Sequence, residues 1–436
     1  MGNYQGYQKY QDSGVKWLGE IPEHWEQKRF KFSVNLINNK IEAENSNLSY
    51  MGLEHIESWT GKKIEDKNAS SEGIGSHFLP NDVLFGKLRP YLAKVYLSDI
   101  EGLASTEALV LRCKNNIFPK FLKYYILSRD FINIVDSSTF GAKMPRASWD
   151  FIGNLFFIFP PLNEQEKIAQ FLDYKTKQID ELIKKKETLI EKLDEKRTAI
   201  ISHAVTKGLD SSVPIKDSGI EWLGDIPKHW EVKRLRYIGS CQNGISKGAD
   251  YFGFGYPFVN YTDVYANIEL PKTVSGLANS TDMDRINYSV QKGDIFFTRT
   301  SETIEEIGIT STCFNSINNA TFSGFLIRVR PFPNLLFTGF SKYYFRCQLH
   351  RLFFVKEMNL VTRASLSQEL LKRLPVLLPT IEEQKQISKH LDQKTAQIDQ
   401  QKAKIKQAIE LLKEYRTSLI TNAVTGKIDV SQIAVP

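Results

Sequence analysis

Residues 163–205 read NEQEKIAQFLDYKTKQIDELIKKKETLIEKLDEKRTAIISHAV, with no Pro or Gly to interrupt them. Apolar residues fall at Ile168, Leu172, Ile179, Leu182, Leu189, Leu193 and Ile200, in steps of three, four and seven, with Lys175, Lys186 and Lys196 as polar interruptions. This spacing predicts a helix with a heptad seam. At about 1.5 Å per residue, such a helix is about 65 Å long, a spacer rather than an ordinary globular helix. The stretch occurs twice. Residues 381–425 carry a matching seam at Ile387, Leu391, Ile398, Ile405, Ala408, Leu412 and Leu419. Glu164, Gln165, Lys175, Thr176, Ile179, Asp180, Arg197 and Thr198 return 219 residues later as Glu383, Gln384, Lys394, Thr395, Ile398, Asp399, Arg416 and Thr417. One amphipathic helix of this length cannot bury its seam alone, so the two are expected to pack on each other.

A second repeat precedes each helix. SGVKWLGEIPEHWEQKR at 13–29 returns as SGIEWLGDIPKHWEVKR at 218–234, a match in Trp and Pro too dense for chance, so the chain is a duplication. Between each opening segment and its helix lie regions 30–159 and 235–378, which differ strongly in sequence and read as mixed α/β, with short runs such as VLFG, KVYL, ALVLR and IFFTRT and amphipathic stretches at 118–135 and 337–354. The fold class read from this pattern is α+β: two mixed α/β domains separated by two long antiparallel, coiled-coil-like helices in a pseudo-two-fold internal repeat. The divisions are 1–12, a flexible leader; 13–161, the first domain; 162–207, the first helix; 208–217, a linker; 218–379, the second domain; 380–427, the second helix; and 428–436, a tail.

The chain's 436 residues suit two domains plus connectors. No run of about 18 apolar residues is present, and residues 1–12 are unlike a signal peptide, so a soluble protein is expected. Cys113, Cys241, Cys313 and Cys347 have no metal spacing and read as reduced thiols, which fits a cytoplasmic setting. The formal net charge of +7 is compatible with a nucleic-acid partner without requiring one.

Some positions in the divergent regions align. Lys87 and Arg299 each end a hydrophobic run that follows Asp82 or Asp294; Ser105 aligns with Ser323, and Arg146-Ala147-Ser148 with Arg363-Ala364-Ser365. Loop Arg, Lys, Ser and Thr side chains between rigid strands can contact phosphates and base edges, which makes Lys87, Arg89, Lys94, Ser105, Lys143, Arg146, Thr298, Arg299, Ser323 and Arg363 candidates. Turn-capping Asp82 and Asp294 beside solvated cations would give the same pattern. The residues duplicated in both helices, Glu164, Gln165, Arg197, Thr198, Glu383, Gln384, Arg416 and Thr417, are candidates for docking two copies of one partner. Lys184, Lys185 and Lys186 beside Glu181 and Glu187 read as a solvated helix face.

Catalytic patterns are missing. The single Pro-Pro, Pro160-Pro161, lacks the Asn or Asp before it that an amino-methyltransferase uses to grip a base. Gly253-Phe254-Gly255 lacks GxGxxG spacing, and no GxxxxGK[ST] loop is present, so no ATP site is expected. Glu26 and Lys28, with Glu231 and Lys233, have the ExK spacing of a nuclease, but a solvated helix start or subunit contact in the repeated segment explains them as well. His24 and His229 read as packed side chains, not metal ligands.

The duplicated WLGxIPxHW, the FxxPPLxEQxxI approach to the helix, the RTxxIxxAVTxG close, and the alternation of divergent and repeated regions resemble the specificity subunit of a type I restriction and modification system over essentially the whole chain. One departure is Lys207-Gly208 where the second copy has Gly426-Lys427. The resemblance implies a non-catalytic subunit whose two target recognition domains each read half of a split site in double-stranded DNA. It also implies that the helices act as ruler and docking surface for two methyltransferase subunits, which restriction and translocase subunits then join. No cofactor is expected on this chain; S-adenosylmethionine, ATP and Mg are expected on the partners. Unlike inserts imply an asymmetric site, and a rod of about 65 Å matches one to two turns of duplex at about 34–36 Å each. A stand-alone nuclease and a coiled-coil protein-binding scaffold are the rival readings.

Overall fold

Glu26–Arg29, the end of the first Trp-Pro-Trp segment, forms a strand that pairs antiparallel with Phe156–Phe159, the strand leading into the first long helix. Glu231–Arg234 pairs in the same way with Pro375–Leu378 ahead of the second. The repeated segment thus closes each divergent region upon itself. The computed structural model describes residues 4–42, 46–64, 73–139, 143–301, 306–357 and 364–434. The chain divides into two units, Met1–Glu187 with Ile405–Pro436, and Thr188–Lys404, so each unit holds one domain and a piece of both long helices.

The first unit is built on a four-stranded antiparallel sheet in the order Val34–Ile37, Ala108–Cys113, Val83–Gly86, Val95–Leu97. The second repeats it with Gly239–Asn243, Leu326–Pro331, Ile295–Thr298, Thr310–Thr312. Val83–Gly86 and Ile295–Thr298 are fully buried, as expected of apolar runs with neighbours on both edges. The sequence divergence is concentrated in a peripheral sheet. In the first unit Lys40–Glu42, Ile74–Phe78, Gly102–Ser105 and Ser49–Met51 form four strands, whereas the second has Phe252–Val259 between Leu277–Ala278 and Thr321–Phe322.

Each amphipathic stretch that follows the central sheet folds as two short helices, Pro119–Ile126 with Arg129–Ser137 and Thr338–Tyr344 with Leu349–Glu357. Ser128 breaks the first pair because its side chain accepts the Phe131 N–H and starts a new helix. These helices cover the sheet and join the opening segment in one core per unit: Trp25, Phe85, Phe121 and Phe157 in the first, Trp230, Phe297, Phe340 and Tyr344 in the second.

The long helices run Leu162–Lys207 and Ile381–Val424. Within each unit their segments lie antiparallel. Asp180 meets Arg416 at 3.0 Å in the first unit, where Ile168, Leu172 and Ile179 share a core with Leu419, Ile420 and Ala423. Arg197 meets Asp399, and Lys402 meets Asp194, in the second. The predicted seam shifts by one residue along its length. Leu182 and Leu189 are 43% and 48% exposed while Ile183 packs on the core, and Ile409 rather than Ala408 is buried. A straight helix drifts about 20° per heptad, which carries the buried stripe from one position to the next.

Residues 4–12, expected to be a flexible leader, join the fold. Tyr10–Asp12 pairs with Glu20–Pro22, the Tyr4 ring meets Phe171 edge-on at 5.5 Å, and the Tyr10 hydroxyl donates to the Gly426 carbonyl. The 208–217 linker matches it, Ile215–Asp217 pairing with Asp225–Pro227. A left-handed glycine follows each helix, Gly208 directly (φ 79°) and Gly426 after Thr425 (φ 73°), so the sequence departure there accompanies a second helix of 44 residues against 46 in the first. At Gly426 a Cβ would lie 2.4 Å from Pro22, which excludes any side chain. Among the described residues no helix is long and apolar enough to cross a membrane.

Candidate nucleic-acid interface

The central sheet of each domain is anchored by an ion pair that the sequence pattern did not single out. Asp82, 1% exposed, accepts the Leu79 N–H at 2.8 Å and receives Nε and Nη2 of Arg112, both at 2.7 Å. Asp294 accepts the Gln291 N–H at 2.8 Å and receives the same two donors of Arg330 at 2.7 Å. Each aspartate therefore caps a turn and locks the strand that follows it. The hydrogen bond to Asp82 holds the Arg112 pKa above its ordinary value.

At the far end of that locked strand the backbone is the same in both domains. The Lys87 N–H donates to the Glu107 carbonyl at 2.9 Å, the Ala147 N–H to the Lys87 carbonyl at 2.9 Å, and the Glu107 N–H to Ser105 Oγ at 3.2 Å. In the second domain Arg299 N–H donates to Phe325, Leu366 N–H to Arg299, and Phe325 N–H to Ser323 Oγ, at 2.9, 2.7 and 3.2 Å. Leu88 bridges Arg146 just as Thr300 pairs with Ser365. Ser148 and Ser367 cap the next helices. These contacts correct the sequence alignment by two residues: the counterpart of Arg146 is Ser365, while Arg363 lies outside the described residues.

Around this frame in the first domain the structure places Lys87 half-buried and Arg89, Lys143 and Arg146 exposed, with Tyr91 and Met144 exposed among them. Arg89 holds a left-handed backbone (φ 51°) and donates its N–H to the Pro145 carbonyl, which ties the two loops together. The guanidinium of Arg146 forks onto Glu107, Nε at 3.0 Å and Nη2 at 3.1 Å, and remains 45% exposed. A cationic, partly aromatic loop surface on a rigid sheet end can engage phosphates and base edges. Other candidates are engaged within the protein itself. Lys94 donates to the Leu53 carbonyl at 2.5 Å, Ser105 and Ser323 hold turns, and the fully buried Thr298 hydroxyl donates to the Glu306 carbonyl and accepts from the Ile309 N–H. Arg299 is half-buried, with Nη1 at 3.4 Å from the Gly324 carbonyl.

The duplicated helix residues turn inward. Gln165 is fully buried, accepts the Phe118 N–H at 2.8 Å, and donates to the Asn116 and Pro160 carbonyls at 3.0 and 2.8 Å. Gln384 does the same with Phe337, Leu335 and Pro379. Glu164 accepts from the Tyr7 hydroxyl at 2.7 Å and Trp25 Nε1 at 3.1 Å, with His24 Nε2 at 2.9 Å; Glu383 binds His229 and Trp230. Arg416, with a side chain 6% exposed, holds Asp180 and the Trp59 and Thr60 carbonyls at 2.9 and 3.0 Å. Contacts inside each unit therefore account for the recurrence of Glu164, Gln165, Glu383, Gln384 and Arg416. Arg197 faces Asp399, and Thr198 and Thr417 are half-buried. Lys28 and Lys233 pair with Glu26 and Glu231 of their own strands at 2.5 and 2.6 Å.

A profile described as the type I restriction modification DNA specificity domain matches residues 26–192 and again 227–411. The chain belongs to that family. Among relatives of this specificity-family chain, the type I restriction enzyme EcoKI specificity subunit of Escherichia coli K12 is 25% identical over 73% of the chain and 68% of its own length. The MjaVIII specificity subunit of Methanocaldococcus jannaschii is 24% identical over 95% of each. A solved chain from work on complex assembly and conformational transition of the type I R-M system shares the fold with a TM-score of 0.70 at 19% identity, covering 93% of this chain and 98% of that one. An HsdS subunit from Thermoanaerobacter tengcongensis aligns with a TM-score of 0.57 at 21% identity, over 96% and 100%.

The specificity-family repeat is deeper than the motifs that revealed it. Tyr124 donates to Asp173 at 2.7 Å beside Thr176 and Lys123, and Tyr343 donates to Asp392 at 2.8 Å beside Thr395 and Lys342. The YY doublet in each amphipathic stretch was the available signal.

Proposed function

We propose that this chain is the non-catalytic DNA-recognition subunit of a type I restriction and modification enzyme, and that it binds an asymmetric, bipartite site in double-stranded DNA. Each divergent domain reads one half-site. The long helices set the spacing and dock two methyltransferase subunits, through which restriction and translocase subunits join; S-adenosylmethionine, ATP and Mg act on those partners, in the cytoplasm. The observation that carries this reading is one backbone frame occurring twice at a sheet end with different side chains, Lys87, Glu107 and Arg146 against Arg299, Phe325 and Ser365. Repeated geometry with unlike chemistry suits two readers of unlike sequence.

Methylome sequencing of cells expressing this chain with its methyltransferase tests the proposal. One split, asymmetric motif that disappears when the chain is deleted is the expected result, and methylation without a motif overturns it. Inserting four residues after Leu189 lengthens the helix by about 6 Å and is expected to widen the unread gap by about two base pairs. A gap of unchanged length removes the ruler role.

A further inference from the structure

The twin frames differ in how their exposed side chains are prepared. In the first domain Glu107 holds Nε and one edge of Nη2 of Arg146. Arg146 Nη1 and the other Nη2 hydrogen have no protein partner among the described residues, and they form the outer edge of a fork whose rotation the carboxylate has already stopped. A guanidinium aimed in this way presents two parallel donors, which match the O6 and N7 acceptors that only guanine displays side by side in the major groove. In the second domain the same backbone positions cannot make that fork, since Phe325 replaces Glu107 and Ser365 replaces Arg146. Phe325 is 62% exposed although its N–H and carbonyl are both fixed, by Ser323 and Arg299. An apolar ring held outward on a rigid turn beside a cation fits the C5-methyl group of thymine.

We propose that these positions determine specificity: Arg146, aimed by Glu107, reads a guanine in the first half-site, and Phe325 reads a thymine methyl in the second. This rests on the DNA-reading function proposed above and goes further by assigning base chemistry to named side chains.

The test uses the full chain with its methyltransferase and three variants: Arg146→Ala, Glu107→Gln, and the transplant Phe325→Glu with Ser365→Arg. Arg146→Ala is expected to relax one guanine position of the first half-site by roughly 10- to 100-fold and leave the second half-site intact. Glu107→Gln relaxes the same position more weakly. The transplant replaces a thymine requirement by a guanine requirement in the second half-site alone. Because Arg146 and Phe325 are exposed, each variant is first shown to keep the parent's melting temperature, and binding to matched and singly altered duplexes is measured by anisotropy across salt concentrations. Equal weakening on all duplexes with a shallower salt slope identifies a phosphate contact and overturns the assignment, as does a motif unchanged in every variant. Failure of the parent chain to give any motif refutes the DNA-reading function itself, which keeps the two outcomes apart.

Discussion

Gln165 and Gln384 show why a residue duplicated in sequence need not face a partner. Each side-chain amide satisfies one backbone N–H and two carbonyls at the point where the chain enters a long helix, a need that arises once per repeat. Gln165→Leu keeps the volume and strands those groups, so it is expected to cost about 3 kcal/mol; chemical denaturation should show this, with a drop below about 1 kcal/mol contradicting the buried network. Asp173 gives a pH-dependent counterpart. Burial pushes its carboxyl up, but hydrogen bonds from Lys120 and Tyr124 and the charge of Lys123 outweigh burial and hold it below the ordinary carboxylate range. A carboxylate depressed in the folded state contributes stability above its unfolded pKa of about 3.9, and that contribution is lost as pH falls through the lower folded value. Urea midpoints of the parent are therefore expected to fall more steeply below about pH 4 than those of Asp173→Asn. Parallel profiles would show that Asp173 adds nothing to the acid response.

The long helices were legible because their period is local and was printed twice. Their existence and pairing followed from the spacing of Ile168, Leu172, Ile179 and their repeats, although the second helix ends at Val424, short of the 427 expected; the packing of Ile183 in place of Leu182 did not follow, because it depends on where an unsupercoiled helix rotates against its neighbour. Ile179→Ala is expected to cost about 2–4 kcal/mol and Leu182→Ala less than about 1 kcal/mol. Thermal unfolding of the two variants checks the order, and equal losses would restore the strict heptad. The leader was misread at this scale. Tyr4, Tyr7 and Tyr10 form no apolar period of their own, yet they pack on the helix ends and on Trp25. Likewise the pairing of Arg146 with Ser365 rests on main-chain hydrogen bonds, which letters do not display, so aligning identical letters set the register two residues off.

Over the whole chain, the duplication and both mixed domains could be read from sequence, since Trp, Pro and Gly at fixed spacing mark the scaffold. The side chains proposed to face bases could not, because they lie where the two copies differ and no repeat reports on them. The structure adds that Asp180 meets Arg416 while Arg197 meets Asp399, so each half carries an Asp and an Arg that answer the same pair on the other. A fragment of residues 1–212 holds Asp180 and Arg197 without their partners, and it is expected to elute as a homodimer; a stable monomer at micromolar concentration would contradict this. Its methylated site, with methyltransferase present, is expected to be palindromic. A joint with interchangeable faces also has a hereditary consequence under the DNA-reading function proposed above: genes encoding such halves can be cut and rejoined within the helix, and each new couple inherits a working joint along with a pairing of half-sites neither parent had.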